Sequence, residues 1–236
     1  MKRILPFLLI LAVLGAALGS AWYLTRSIPA PTTVVGSQTP VATSSQSPAT
    51  RPAGKTGVPG AEPAHTRGPA TAPAQIEEFG DFQCPPCGMF HPVLEQMEAE
   101  FGDQLRVTFR EFPLVPTHQH ALAAASAAEA AGLQGRFWEM HKLIYDHQND
   151  WKGQFDVRPI FEGYAKQIGL DIDKYNRDVS SDFVAQRIFM DGRRGHSLGV
   201  QGTPTVFLNG VEVPFENLPA DKLRVLIQKE IASARR

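Results

Sequence analysis

Cysteine is almost missing from this chain. Cys84 and Cys87 are the only two in 236 residues, and two prolines separate them. A zinc site usually takes two further Cys or His ligands at close spacing, and there is no third cysteine to supply one. A c-type haem attachment would need histidine directly after Cys87, where Gly88 stands. A purely structural disulfide is also disfavoured, because so short a loop constrains the unfolded chain very little.

The chain also lacks a bias of charge. Its 23 basic and 24 acidic residues give a formal net charge of −1, so nothing in the composition favours nucleic acid as a partner. Charge is wholly absent from residues 4–24, which are mostly apolar and follow Lys2 and Arg3. At about 1.5 Å per residue this run is long enough to cross a bilayer core of about 30 Å.

We therefore predict that residues 1–26 form an uncleaved membrane anchor. A cleaved signal peptide is the alternative, with the small residues 19–21 as its cleavage site. In both cases the basic N-terminus should stay in the cytoplasm and the rest should be exported to an oxidising space. The expected location is the cell membrane, with one membrane span and the folded domain on the extracytoplasmic, periplasmic side.

Aromatic residues are absent from residues 27–73, where Pro, Ala, Thr, Ser and Gly dominate. Such a segment has nothing to seed a core, and it predicts a disordered linker. The remaining residues, 74–236, are enough for one domain with a sizeable core.

The two cysteines stand where a strand-like segment, residues 75–79, gives way to a helix. Spaced at i and i+3 on the first helical turn, they share a face and can form a small, somewhat strained disulfide. Unpaired N–H groups and the helix dipole should lower the pKa of Cys84 and make it a nucleophile that solvent can reach. Cys87 should be more buried and should resolve mixed disulfides. Pro85 and Pro86 suit early helical positions, which need no N–H donor.

Glu78 is an unexpected acid in a strand that should be central and largely buried. One interpretation turns its side chain outward to water. The functional interpretation buries it beneath Cys87, where desolvation raises the pKa of Glu78 and lets it exchange a proton with that thiol.

Hydrophobic periodicity and turn residues predict one mixed sheet flanked by helices. The predicted strands are 75–79, 105–112, 205–208 and 211–213, and the predicted helices are 86–101, 119–131, 136–146, 158–168, 172–180, 181–198 and 220–234. His118 and His120 stand near a helix start without an acid or thiol companion, so we interpret them as structural. His91 is the one nearby candidate for a third metal ligand, although a solvated side chain is the simpler interpretation.

Three segments in combination resemble the DsbA-like branch of the thioredoxin superfamily: residues 78–87 (EFGDFQCPPC), 137–141 (FWEMH) and 200–205 (VQGTPT). The resemblance covers roughly residues 68–232. It implies an α/β fold, with a thioredoxin-like mixed sheet split by a helical insertion at about 116–198.

The resemblance also implies site residues. Pro204 would be a cis-proline facing the active-site disulfide, and Thr203 would offer backbone hydrogen bonds to an extended substrate. An ordinary trans-proline at the start of an edge strand is the alternative. Pro85 and Pro86 are counted with Thr203 as substrate-contacting residues, and Glu78 stands where this superfamily places a buried acid.

The activity implied is that of a protein thiol-disulfide oxidoreductase that needs no metal or organic cofactor beyond the Cys84–Cys87 disulfide. Its partners would be exported protein thiols and disulfides and a membrane redox partner that recycles the pair. Pro86 replaces the histidine of strongly oxidising relatives, which look like Cys-Pro-His-Cys, so we expect a weaker oxidant. A reductase or isomerase, a copper-handling protein that uses both cysteines and His91, and a redox-inactive binding module remain open.

Overall fold

The computed structural model describes residues 56–236, where five strands form one mixed sheet. The strands are β1 (His65–Arg67), β2 (Ala74–Gly80), β3 (Leu105–Glu111), β4 (Thr205–Leu208) and β5 (Val211–Val213). The helices are α1 (Pro85–Phe101), α2 (Ala121–Gly132), α3 (Phe137–Asp146), α4 (Gln148–Trp151), α5 (Arg158–Gln167), α6 (Ile172–Asp178), α7 (Asp182–Leu198) and α8 (Ala220–Ala234). Short 3-10 turns stand at Gly102–Gln104 and Phe215–Asn217.

The sheet order is β1-β3-β2-β4-β5. β2 and β3 are parallel and are joined through α1, whereas every other neighbouring pair is antiparallel. The cysteines follow the C-terminal end of β2, the central strand, so the site stands where a buried strand passes into a helix. The predicted thioredoxin-like mixed sheet flanked by helices is confirmed.

Helices cover both faces of this sheet. On one face, α1 and α8 pack Leu94 and Leu223 against strand residues such as Ile76 and Val107. On the other face, Phe79 packs with Leu198, the last residue of α7. The helical insertion, α2 to α7, contributes a further cluster that includes Met140, Ile144 and Trp151 and that contains both cysteines. The active-site loop is therefore held between the sheet and the insertion.

The predicted linker boundary at residue 73, and with it a domain starting at residue 74, was wrong. β1 pairs with β3 as an edge strand, and the chain before it is held by polar side chains far away in sequence. Arg187 donates to the carbonyl oxygens of Glu62 at 3.3 Å and Pro63 at 3.0 Å, and Arg110 donates to that of Ala61 at 2.8 Å. Composition alone could not show this, because the order is imposed by distant partners.

Within residues 56–236, no helix combines the length and apolarity needed to cross a bilayer. The predicted anchor and most of the predicted linker lie outside the described residues.

Candidate active site

Cys84 is the N-cap residue of α1, with extended backbone angles (φ −69°, ψ 120°), and Pro85 and Pro86 open the helix. The Cys84 N–H donates to the carbonyl oxygen of Asp81 at 3.1 Å, and the Cys84 carbonyl oxygen accepts from Gly88 N–H at 3.1 Å. Both cysteines are free thiols. This local geometry follows the expectation that a proline-rich first turn begins directly after the first cysteine.

The Asp81 side chain fixes the loop before the cysteines. One carboxylate oxygen accepts from the N–H of Gln83 at 2.8 Å, and the other accepts from the N–H of Leu114 at 2.8 Å. The second oxygen also lies 2.8 Å from Nδ1 of His118. The prediction that His118 has no acidic companion was wrong, because the fold brings its ring against the Asp81 carboxylate of the active-site loop.

Gln148 is a second support that sequence reasoning missed. Its amide nitrogen donates to the carbonyl oxygens of Phe82 at 2.7 Å and Cys84 at 2.9 Å, and the residue is buried. Gln148 opens α4, a helix of four residues that is too short to show a periodic pattern.

The Cys84 sulfur is strongly acidic for a thiol: its pKa is lowered to about 6. The largest cause is a hydrogen bond from the Cys87 thiol, and the nearby Thr203 side chain and the Cys87 backbone N–H lower the pKa further. Burial and the negative charge of Asp81 oppose the shift. The predicted direction therefore agrees, but the helix terminus contributes less than the neighbouring thiol does.

Cys87 has the opposite character. Its pKa is raised well above the ordinary thiol value, first by desolvation, then by its hydrogen bond to Cys84 and by the charge of Glu78. Its side chain is fully buried, as predicted. The two sulfurs are thus electronically distinct, with the thiolate favoured at Cys84 and the thiol at Cys87.

Cys84 is less open than predicted, with only 4% of its surface exposed. The cover comes from the segment before β4, where the Cys84 thiol donates to the carbonyl oxygen of Thr203 at 3.3 Å. The Thr203–Pro204 peptide bond is cis, and Pro204 is buried. The structure therefore brings Thr203 and Pro204 against the first cysteine, as the resemblance implied.

Glu78 is buried, with 2% exposure, so the interpretation that turned it to water was wrong. The pKa of Glu78 is raised to about 8 because burial desolvates the carboxylate, and the negative charges of Glu98 and Cys84 add to this. Arg67 acts in the opposite direction. A carboxyl group that titrates near neutral pH can give or take a proton during a reaction.

His91 does not face water as the simpler interpretation expected; it is 4% exposed, with its ring 5.2 Å from those of His141 and Tyr145. Burial lowers the pKa of His91. Among residues 56–236, no three His, Cys, Asp or Glu side chains form a group that could hold a metal ion. Cys84, Cys87 and His91 accordingly form no such group.

An apolar groove of about 280 Å³ runs beside the first turn of α1. It is lined by Pro86, Met89, Phe90, Val93, Phe215, Glu216, Leu218 and Pro219. Two of these side chains are unusually open for apolar residues, with Met89 67% exposed and Phe215 60% exposed. Exposed apolar surface next to a reactive sulfur offers a place for the side chains of an extended peptide.

The fold and this pair of unequal sulfurs define a thioredoxin-like protein with a Cys-x-x-Cys centre. Residues 61–229 match the thioredoxin family model, and the chain belongs to that family. The thioredoxin part of the resemblance is thereby confirmed, and the chain shares its fold with solved structures of DsbA-like proteins.

Two solved structures illustrate that fold. BdbD from Bacillus subtilis, in its oxidised form, is 21% identical with a TM-score of 0.65, over 75% of this chain and 100% of that one. The thiol-disulfide exchange protein alpha-DsbA2 from Wolbachia pipientis is 21% identical with a TM-score of 0.59, over 70% of this chain and 86% of that one.

The curated relatives carry a different name. A Na(+)/H(+) antiporter NhaA 1 from Salinispora arenicola is 41% identical over 147 residues, which cover 62% of this chain and 22% of the relative. Its namesake from Mycolicibacterium vanbaalenii is 39% identical over 149 residues, 62% of this chain and 23% of the relative. The chain thus spans about a fifth of the length of the curated relatives it matches.

Proposed function

We propose that this chain is a protein thiol-disulfide oxidoreductase that acts outside the cytoplasm and passes a Cys84–Cys87 disulfide to exported proteins. The observation that carries the proposal is the contrast between the two sulfurs: a thiol with a pKa of about 6 beside a fully buried one with a raised pKa. Disulfide exchange needs such a pair, because the sulfur with the lower pKa is the better leaving group.

The exchange begins when a substrate thiolate attacks the sulfur of Cys84. The Cys84–Cys87 bond breaks, a mixed disulfide forms, and Cys87 leaves with the electron pair and takes up a proton. A second substrate thiolate then attacks the substrate sulfur of the mixed disulfide and expels Cys84 as a thiolate. The substrate is oxidised to a disulfide, the pair is reduced to a thiolate and a thiol, and a membrane partner would reoxidise it.

The lowered pKa of Cys84 supports the oxidising direction. A stabilised thiolate stabilises the reduced form of the protein, and this raises the reduction potential. Because Pro86 offers no hydrogen-bond donor, the thiolate depends on Cys87 and Thr203 instead. We therefore propose an oxidant weaker than relatives with histidine at that position, and not a reductase.

The proposed substrates are unfolded exported chains. The Thr203 carbonyl at 3.3 Å from the Cys84 sulfur stands where the backbone of an extended peptide would pair, and the apolar groove begins at Pro86, between the two cysteines in sequence. Residues 4–24 would tether the protein to the membrane, and relatives named as ion antiporters are consistent with that setting. The antiporter activity itself is not proposed for this chain, which spans about a fifth of those relatives.

Two assays on the full chain test the proposal. The oxidised wild type should speed disulfide formation in a reduced, unfolded protein, and Cys84→Ser should be inactive in this assay and in insulin reduction. Equilibration with glutathione should give a potential above about −200 mV for an oxidant. A value near −270 mV would leave disulfide exchange standing but overturn the oxidising role, and no activity in either assay would overturn both.

The groove has its own test. Met89→Asp places a charge in the apolar lining, so we expect the KM for an apolar, cysteine-containing peptide to rise about tenfold. Val225→Asp is a matched control, because Val225 is similarly exposed (62%) on α8 outside the groove. An equal KM in both variants would exclude the groove as the peptide site.

A further inference from the structure

The Asp81 carboxylate is a buried charge that stands directly before the redox pair. Asp81 is 1% exposed, and its side chain is wholly buried. Its main-chain carbonyl oxygen accepts from the Cys84 N–H at 3.1 Å, and its carboxylate accepts from the Gln83 N–H at 2.8 Å. This Asx turn fixes the carboxylate beside the residues that lead into Cys84.

The charge of Asp81 works against the thiolate that the exchange needs. Hydrogen bonds, chiefly the one from the Cys87 thiol, lower the pKa of Cys84, whereas the negative charge of Asp81 raises it. Two like charges repel strongly where little water lies between them. Asp81 therefore holds the active-site loop in place and, at the same time, disfavours the ionised form of Cys84.

His118 is placed to offset this charge. Its Nδ1 lies 2.8 Å from the Asp81 carboxylate oxygen that also accepts from the Leu114 N–H. An ionised carboxylate can only accept, so the ring nitrogen is the donor in this bond. Within residues 56–236, His118 is the only basic side chain at ion-pair distance from Asp81. The ring is thus the side chain that binds this buried charge.

The chain around His118 holds the ring in this position. The His118 N–H donates to the Leu114 carbonyl oxygen at 2.9 Å, and the Ala121 N–H donates to the His118 carbonyl oxygen at 3.2 Å as α2 begins. The side chain of His118 is 16% exposed, so most of the ring is packed. A single turn between β3 and α2 therefore brings two donors to one oxygen of Asp81.

His120, two residues later, differs from His118 in what its ring binds. Its Nε2 lies 2.7 Å from the carbonyl oxygen of Gln154, in the loop after α4. Its main-chain N–H donates to the Gln83 side chain at 2.6 Å. His120 thus also contacts the active-site loop, but its ring binds Gln154 and not Asp81.

We propose that His118 is a positioning residue for the exchange: by binding the Asp81 carboxylate, it weakens the repulsion between that charge and the Cys84 thiolate. This inference rests on the proposed function, because it names a residue that tunes the same sulfur. A more stable thiolate stabilises the reduced pair and makes the protein a stronger oxidant. His118 touches no reacting sulfur and acts only through Asp81, and no proton or electron passes through it in this role.

The pH dependence of iodoacetamide alkylation of the reduced full chain tests this coupling. His118→Phe keeps a ring but removes the donor, so we expect the pKa of Cys84 to rise from about 6 to about 7. At pH 6 the alkylation rate should then fall about fivefold. Equilibrium with glutathione should shift toward the disulfide. His118→Asn carries an amide nitrogen near the place of Nδ1 and should stay closer to the wild type.

A double-mutant cycle separates this electrostatic effect from loop packing. Asp81→Asn removes the charge, so adding His118→Phe to it should leave the pKa of Cys84 unchanged. His120→Phe is the matched control and should keep the wild-type profile, because its ring binds Gln154. Urea unfolding of the oxidised forms is measured in parallel. A purely structural role of His118 would lower this stability without moving the alkylation profile.

A wild-type profile in His118→Phe would overturn the tuning role, and so would an equal shift in His120→Phe or in the presence of Asp81→Asn. If the double variant does not fold, the comparison of His118→Phe with His118→Asn and His120→Phe still decides the question. A wild type that neither oxidises a reduced protein nor reduces insulin would instead overturn the proposed function. If the wild type is active and His118→Phe matches its profile and its glutathione equilibrium, the function stands and the tuning role falls.

Discussion

The acidity of Cys84 depends chiefly on one neighbouring thiol. Cys87→Ala removes the hydrogen bond that contributes most to the lowered pKa, so we expect the pKa of Cys84 to rise from about 6 toward its ordinary value of 9.0. The pH dependence of iodoacetamide alkylation measures this directly. Cys87→Ser keeps a hydroxyl donor and should shift the pKa less. An unchanged profile in Cys87→Ala would mean that the helix terminus controls the thiolate.

Glu78 should make the stability of the protein depend on pH. Its folded pKa of about 8 lies above the ordinary 4.5, so its stabilising contribution is full below about pH 4.5 and is lost as the pH rises through 8. Glu78→Gln removes this loss. The free energy of unfolding of the variant, relative to the wild type, should therefore rise by on the order of 5 kcal/mol from pH 4.5 to pH 8. Urea unfolding of the oxidised forms at several pH values measures it.

A matched surface variant separates this effect from general changes in charge. Glu100→Gln alters a half-exposed carboxylate that pairs with Arg224 on the surface, and it should show no comparable trend. A constant difference between Glu78→Gln and the wild type from pH 4.5 to pH 8 would show that Glu78 is ionised throughout in the folded state.

Among the sequence elements, those with strong local signals were located well. The hairpin strands, 205–208 and 211–213, and the last helix, 220–234, have the predicted bounds, because a turn at Asn209-Gly210 and an apolar stripe mark them locally. β1 and α4 were missed. Each has only three or four residues, and β1 depends on pairing with β3.

In the active site, too, the features with a local sequence signal were predicted, and those that depend on residues distant in sequence were missed. The order of cysteines, prolines and helix follows from local sequence, whereas the cover over Cys84 comes from Thr203, 119 residues away. The dominant hydrogen bond from Cys87 depends on how two side chains meet in space. Spacing along the chain indicates that two sulfurs share a helix face, but it does not show which one donates to the other.

The segment before β1 depends on α7 through Asp191. One carboxylate oxygen of this buried residue lies 3.0 Å from Arg110 and accepts from Ala61 N–H at 2.7 Å; the other accepts from Glu111 N–H at 3.2 Å. Asp191→Ala removes a carboxylate from the buried Arg110 guanidinium and leaves the N–H groups of Ala61 and Glu111 unpaired. The free energy of unfolding should fall by about 3–5 kcal/mol.

Urea unfolding measures this cost, and hydrogen exchange should show faster opening around residues 58–63. Glu100→Ala is the control, because it removes only a surface ion pair and should cost less than about 1 kcal/mol. An Asp191→Ala cost as small as that of the control would mean that the N-terminal segment is held by other contacts.

For the molecule as a whole, redox state and stability should be linked. The Cys84 pKa is lower in the folded, reduced protein than in the unfolded chain, so its contribution is full above about pH 9 and is lost as the pH falls through 6. The melting temperature of the reduced form, relative to the oxidised form, should therefore rise from pH 5.5 to pH 8.5. The Cys84 charge also raises the pKa of Glu78, so the same comparison in Glu78→Gln isolates the contribution of the cysteine.

Thermal unfolding followed by circular dichroism, with and without reductant, gives this difference. Reduced Cys84→Ser lacks the thiolate and should gain less stability than reduced wild type over the same range. If the melting temperature of the reduced form falls relative to that of the oxidised form as the pH rises, Cys84 is not a thiolate in the folded protein.

The cover over Cys84 also bears on how long the protein survives as a catalyst. An ionised sulfur is the form that peroxide converts to sulfenic acid and then, irreversibly, to sulfinic acid. With 4% of its surface open and the Thr203 carbonyl across it, this sulfur presents little area to a small oxidant. A polypeptide substrate of the proposed kind would have to displace this cover by pairing with residue 203, so we expect the cover to slow peroxide damage between turnovers.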